Sequence, residues 1–251
     1  MDRRTFIYSS AAATSVLPLS SFGHTPSPSE ERELYEIRTY DILFRGNKGL
    51  LINYLREALY PLLQEKGAKH LMIMEEIGQS TPVKLWVLIA WKDAGSYLAG
   101  QAVSANDSTN ELAATYEAVP HDQPIYSRFE SWLLWAFEGM PQMNKGEGSE
   151  LFELRTYEGY SEDAVARKIR MFNKEEIVLF HKTGLHPVFF GEMLAGPYRP
   201  CLTYMLHFNN MEERDANWAS FLKHPDWNEM KNKEEYAHTV SNIRRVFLKK
   251  A

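Results

Sequence analysis

The sequence predicts an α+β protein built from two copies of one β-α-β-β-α-β unit, and three observations carry that prediction. A seven-residue phrase occurs twice: Leu34-Tyr35-Glu36-Ile37-Arg38-Thr39-Tyr40 returns as Leu151-Phe152-Glu153-Leu154-Arg155-Thr156-Tyr157. Five of the seven positions are identical and the other two exchange like for like. The offset of 117 residues (34 to 151) persists downstream without a gap, so that Gly67 aligns with Gly184, Glu75 with Glu192 and Leu85 with Leu202. Finally, each copy runs through alternating, helically spaced and continuous apolar stretches in the same order. A tandem duplication of a domain of about 100 residues accounts for all three.

Each element has its own signal. In the first copy, Leu34 to Tyr40 alternates, with Tyr35, Ile37 and Thr39 on one face and Glu36, Arg38 and Tyr40 on the other. Apolar residues at 51, 55, 59, 62 and 63 follow helical spacing, with Pro61 expected to kink that helix or mark its last turn and Gly67 to stop it. Strands are expected over 70–77 and 83–91; the second is apolar enough to be buried on both faces. A helix over 92–117, broken by the polar stretch 106–110, leads to a fourth strand over 126–137.

In the second copy, the strand from Leu151 to Tyr157 is followed by Ser161-Glu162-Asp163, a helix start with a capping hydroxyl and acids in the first turn. That helix runs to Gly184. Strands are expected over 188–194 and 202–208, a helix over 212–221 ended at His224-Pro225-Asp226-Trp227, a polar helix over 229–238 and a closing strand over 243–248. With both helices on one face of the sheet, this order is the ferredoxin-like arrangement. The domains are read as 34–137 and 150–251, joined by a Gly- and charge-rich linker over 138–149.

Composition narrows the function. The chain has 251 residues, 44% hydrophobic and 24% charged, which is ordinary for a globular protein. A net charge of −5 leaves no electrostatic footprint for nucleic acid. Cys201 is the single cysteine, which excludes an intrachain disulfide and any cysteine-based metal cluster. Residues 1–23 read as a twin-arginine-type export signal: Arg3-Arg4, a spacer and Phe6 precede an Ala/Ser-rich stretch far too short to span a bilayer. Residues 24–33 form a Pro/Ser-rich linker, so the mature protein is expected to be periplasmic or secreted, without stable membrane insertion.

At the doubled phrase, and at the run Trp218-x-x-Phe221-x-x-His224-Pro225-x-Trp227, the chain resembles the NIPSNAP family. The run has no counterpart after Trp91 in the first copy, so the resemblance does not extend one site to both copies. The resemblance implies two ferredoxin-like domains pairing as an intramolecular α/β barrel with helices outside. It implies a binding or interaction protein rather than a defined activity. Related barrel families include cofactor-independent monooxygenases and isomerases, so an enzyme acting on a small organic substrate in the barrel cavity is the alternative.

If the sheets face each other, the polar strand faces line the barrel. The candidate ligand-binding residues are then Glu36, Arg38, Tyr40, Glu75, Glu153, Arg155, Tyr157, Glu192 and His207. The plain structural account is that the two arginines and two glutamates neutralise one another across the halves. The functional account is that Arg38 and Arg155 hold an anionic or carbonyl-bearing ligand. Glu75 and Glu192 read as salt-bridge partners of those arginines, and His207 as a core or edge histidine. The six tryptophans read as core. No metal site and no cofactor are expected: the sequence has no His-x-x-x-His pair, nucleophile elbow, phosphate-cradling loop or dinucleotide fingerprint. Haem would need a histidine projecting into a cavity, with His207 the one to test. Each isolated sheet edge invites pairing, which leaves a homo-oligomer open.

Overall fold

Eight strands close into one antiparallel barrel with the helices packed outside it. The computed structural model describes residues 32–78, 80–103 and 110–251. The expected leader, all but the end of its linker, and most of the stretch expected to break the helix after Trp91 lie outside the described residues.

The strands are β1 (Leu34–Ile42), β2 (Ala68–Glu76), β3 (Val83–Trp91), β4 (Tyr126–Ala136), β5 (Leu151–Glu158), β6 (His186–Ala195), β7 (Cys201–Phe208) and β8 (Asn242–Lys250). Around the barrel they run β1-β3-β2-β8-β5-β7-β6-β4. Within each half the order is therefore β4-β1-β3-β2 or β8-β5-β7-β6, the ferredoxin-like order twice over. Two seams join the halves. At one, Met74 lies opposite Lys250 and Glu76 opposite Leu248. At the other, Leu134 lies opposite Met193 and Ala136 opposite Gly191. A Cβ on Gly191 would sit 2.7 Å from Cβ of Leu134, so the second seam needs glycine there.

The first helical stretch of each copy is interrupted at the same place. α1 (Lys48–Asn53) and α2 (Tyr60–Glu65) flank a π turn over Tyr54–Leu59. α5 (Glu162–Met171) and α6 (Ile177–Lys182) flank another over Phe172–Glu176. Pro61, expected to kink the helix or mark its last turn, sits just past the π turn. It occupies the first turn of α2, where a missing N–H costs least. Ser161 caps α5 as expected, accepting from the Ala164 N–H at 3.1 Å. The remaining helices are α3 (Ala94–Gln101), α4 (Glu111–Glu117), α7 (Met211–Lys223) and α8 (Pro225–Met230). Pro225 starts α8 rather than only breaking its predecessor, because a proline at the first helical position surrenders no bond. The expected polar helix over 229–238 is replaced by the end of α8 and a single 3-10 turn over Glu234–Tyr236.

The strand faces are the reverse of the expectation. Tyr35, Ile37, Phe152 and Leu154 point into the barrel, where they pack with Trp86, Val188 and Met205 from the other strands. Thr156 and Thr203 bond each other there at 2.9 Å. The opposite row, with Tyr40 and Tyr157, faces the helices. Alternation alone cannot choose between the faces, since both sides of every central strand are covered. A small barrel fills its interior with side chains. Paired charges go instead to the layer where helices supply hydrogen-bond partners.

Candidate functional site

None of Glu36, Arg38, Tyr40, Glu153, Arg155 or Tyr157 lines the barrel, and the two polar rows do not neutralise each other across the halves. Each arginine pairs with the glutamate two residues before it on its own strand. Arg38 Nε donates to Glu36 at 2.6 Å and Arg155 Nη1 to Glu153 at 2.8 Å. Glu75 meets Lys48 Nζ at 2.6 Å instead of an arginine. Glu192 is exposed beside the second seam, opposite Trp135 and Leu202. His207 ends the barrel-facing row of β7. Its Nδ1 bonds the Ser149 hydroxyl at 2.7 Å and its ring stacks on His186. Burial and the neighbouring His186 hold its pKa down to about 4. His207 is not among the residues lining the cavity described next, so the requirement for haem ligation is not met at that cavity. Among the described residues, no three His, Cys, Asp or Glu side chains converge as a metal site.

What the strand phrase does build is a cavity of about 490 Å³ between the sheet of the second half and its helices. Arg155 and Tyr157 of β5 form its floor. Lys168 of α5 and Glu176 of the π turn stand on one side. Arg214 and Trp218 of α7, with Trp227 of α8, stand on the other. Glu153 anchors the floor with 0% exposure. Besides Arg155 it accepts Arg214 Nε at 2.9 Å and Nη2 at 2.8 Å, and the Trp218 indole N–H at 2.9 Å. Burial pushes its carboxyl up, but the Arg214 hydrogen bonds, the Arg155 charge and the Trp218 N–H outweigh that, and its pKa falls. Glu153 thus holds two guanidinium groups, and Arg214 Nη1 also donates to the exposed Asp215 carboxylate at 2.7 Å.

Arg155 lies 4.3 Å from the centre of the Trp218 ring, close enough for a cation–π contact. Its Nη2 donates to the Tyr157 hydroxyl at 3.2 Å, which also accepts from Tyr204 at 2.8 Å. Its Nε is buried without a hydrogen-bond partner among the described residues. On the other wall, Lys168 Nζ donates to Glu176 Oε2 at 2.6 Å. These side chains belong to residues only 4% and 2% exposed. The ammonium is 4.6 Å from the centre of the Phe172 ring and 5.7 Å from those of Tyr157 and Trp227. Burial raises the Glu176 carboxyl, with Lys168 pulling the other way. Lys231 and Arg245 add two further cations to the lining.

The first half has the same strand phrase without these features. At the 117-residue offset, Leu51 stands where the second half has Lys168, Leu59 where it has Glu176 and Val87 where it has Tyr204. Tyr54, in the place of Met171, stacks on Tyr116 at 3.8 Å. Glu36 takes its indole N–H from Trp91 of β3, not from a helix. The sequence reading missed Lys168, Glu176, Tyr204 and Arg214, and placed Trp218 and Trp227 in the core. The gap-free register against Leu51 and Leu59 was the signal that could have found the first two.

A closed eight-stranded barrel made by two βαββαβ halves of one chain places the protein in the α/β-barrel class. Residues 152–251 match the family model NIPSNAP. No curated protein sequence matches the chain. Among solved structures, it is similar to a proposed monooxygenase from Lactobacillus acidophilus, with TM-score 0.56 and 14% identity over 88% of this chain and 94% of that one. A proposed monooxygenase from Fusobacterium nucleatum gives TM-score 0.55 and 6% identity over 87% and 92%. A mutant chlorite dismutase from Candidatus Nitrospira defluvii gives 0.51 and 6% over 87% and 91%. At these identities the likeness is one of fold.

Proposed function

We propose that the second-half cavity binds a small organic anion with an aromatic body, and that the protein is an exported tandem-domain binding module. The observation that carries this reading is the contrast between the halves. Both fold around the same Glu-x-Arg strand, yet one fills its helix–sheet layer with Leu51, Leu59 and Val87 where the other buries Lys168, Glu176 and Tyr204 around a cavity. A polar cluster the twin folds without is not required by the fold. The Arg155 Nε, unpartnered among the described residues, with Lys231 and Arg245 on the same lining, suits a carboxylate, and Trp218, Phe221 and Trp227 suit an aromatic ring.

Titration with aromatic carboxylates, followed by quenching of the cavity tryptophans, tests this. Saturable binding is expected, weakened at least about tenfold by Arg155→Met, since a charge-assisted hydrogen bond contributes roughly 1.5–3 kcal/mol. A wild-type protein that binds none of them sinks the proposal. Export is tested by fractionation: replacing Arg3 and Arg4 with lysine should retain the protein in the cytoplasm.

A second reading, an enzyme of the cofactor-independent monooxygenase or isomerase kind, is favoured by one observation. A carboxyl with raised proton affinity and a buried ammonium share the cavity. The barrel interior holds a packed cluster of side chains, so this reading puts the substrate in the cavity outside it.

A further inference from the structure

The geometry points to Glu176 and Lys168 as a proton-transfer pair that enolises an aromatic 2-oxo acid anchored on Arg155. This rests on the binding reading above and assigns the site its chemistry. The π turn carries Glu176 to the cavity wall and turns it back on Lys168, eight positions earlier, at 2.6 Å. Among the described residues Lys168 is the one hydrogen-bond donor to Glu176, through Oε2, which leaves Oε1 free of protein donors. Both side chains line the same cavity as Arg155.

The ligand class follows from the chemistry of the groups that share the lining. Arg155, with a buried Nε that has no partner among the described residues, takes the carboxylate. The faces of Trp218 and Trp227 take the ring. A carbonyl next to the carboxylate then presents its oxygen to the Lys168 ammonium. The ring faces of Phe172, Tyr157 and Trp227 lie around that group at cation–π distance. In the step, Glu176 accepts a proton from the carbon beyond the carbonyl. The C–H electron pair becomes the new C=C bond, and the carbonyl π pair moves to the oxygen, where Lys168 stabilises it. Return of the proton to carbon gives exchange, and its transfer to oxygen gives the enol. No oxidant or other co-reactant is consumed. The raised proton affinity of the buried Glu176 suits a group that must hold the proton between the two transfers.

The full-length protein with phenylpyruvate as probe, in deuterated water, tests the pair. Proton NMR should show loss of the signal beside the carbonyl about 100-fold faster than in buffer. Glu176→Gln, measured at a probe concentration that saturates it, should fall to within about tenfold of the buffer rate. Should that variant not fold, the double substitution Lys168→Leu, Glu176→Leu installs the residues found at the matching positions of the first half. It should fold by circular dichroism and lose the exchange. Binding of phenylpyruvate to the wild type with exchange at the buffer rate overturns the pair and leaves the binding reading standing. Absence of binding overturns both. Exchange that survives in the double variant also overturns the pair.

Discussion

Glu153 ties β5 to α7, because it meets four donors at once. Replacing it with glutamine leaves Arg155 without a carboxylate partner and Arg214 with only the exposed Asp215. The expected cost is about 3–5 kcal/mol, the range for breaking a buried ion pair by removing one partner, read from urea unfolding. The pH dependence has a definite sign. A carboxyl whose folded pKa is depressed contributes stability that is present above its unfolded pKa and lost as pH falls through the folded value. Acid unfolding should therefore be shallower in Glu153→Gln than in the wild type. His207 adds a second window. Its folded pKa near 4 lies below the ordinary histidine value of 6.5, so the unfolded chain binds more protons between the two. Stability should fall as pH drops through that interval, and His207→Gln should lessen the fall. The sequence showed Glu153 and Arg155 as a pair worth attention. It did not show which face they take, because Phe152 and Leu154 alternate with them and read as equally fit for burial.

At the scale of elements, α5 and the π turn after it decide what the second half can do. In the sequence, Lys168 reads as one more basic residue on an amphipathic helix with a basic last turn. Nothing local distinguishes it from an exposed lysine. Its burial depends on Trp227, which arrives from α8 about sixty residues later, and a window along the chain does not see that contact. Removing one member of the pair should be far worse than removing both. Lys168→Met alone strands a carboxylate and should cost about 3–5 kcal/mol, whereas the double leucine variant should be neutral or more stable by about 1–4 kcal/mol. Thermal unfolding of the three proteins checks this, and equal losses in single and double variants would contradict it. The helix boundaries around Pro61 and Pro225 were less legible for a related reason. A proline marks a discontinuity without saying on which side the helix lies.

At the scale of the molecule, the doubled phrase and its constant offset predicted nearly the whole strand order, and the seams complete it. Each half alone presents an apolar face, with Phe152, Leu154, Val188 and Met205 in the second. It also presents two unpaired edges, β6 and β8. Residues 150–251 expressed alone should therefore associate, most simply as a symmetric dimer that rebuilds a barrel. Light scattering on the purified fragment reads this directly, and a stable monomer would show that the seams are not what hold the sheet together. Closure within one polypeptide also changes what mutation can do. In a barrel made from two identical chains, every substitution appears twice, so any pocket exists in duplicate and any leucine that plugs one plugs both. Covalent linkage frees each half to change alone, and a lysine and a glutamate can be kept, or acquired, on one side while the other is sealed for stability.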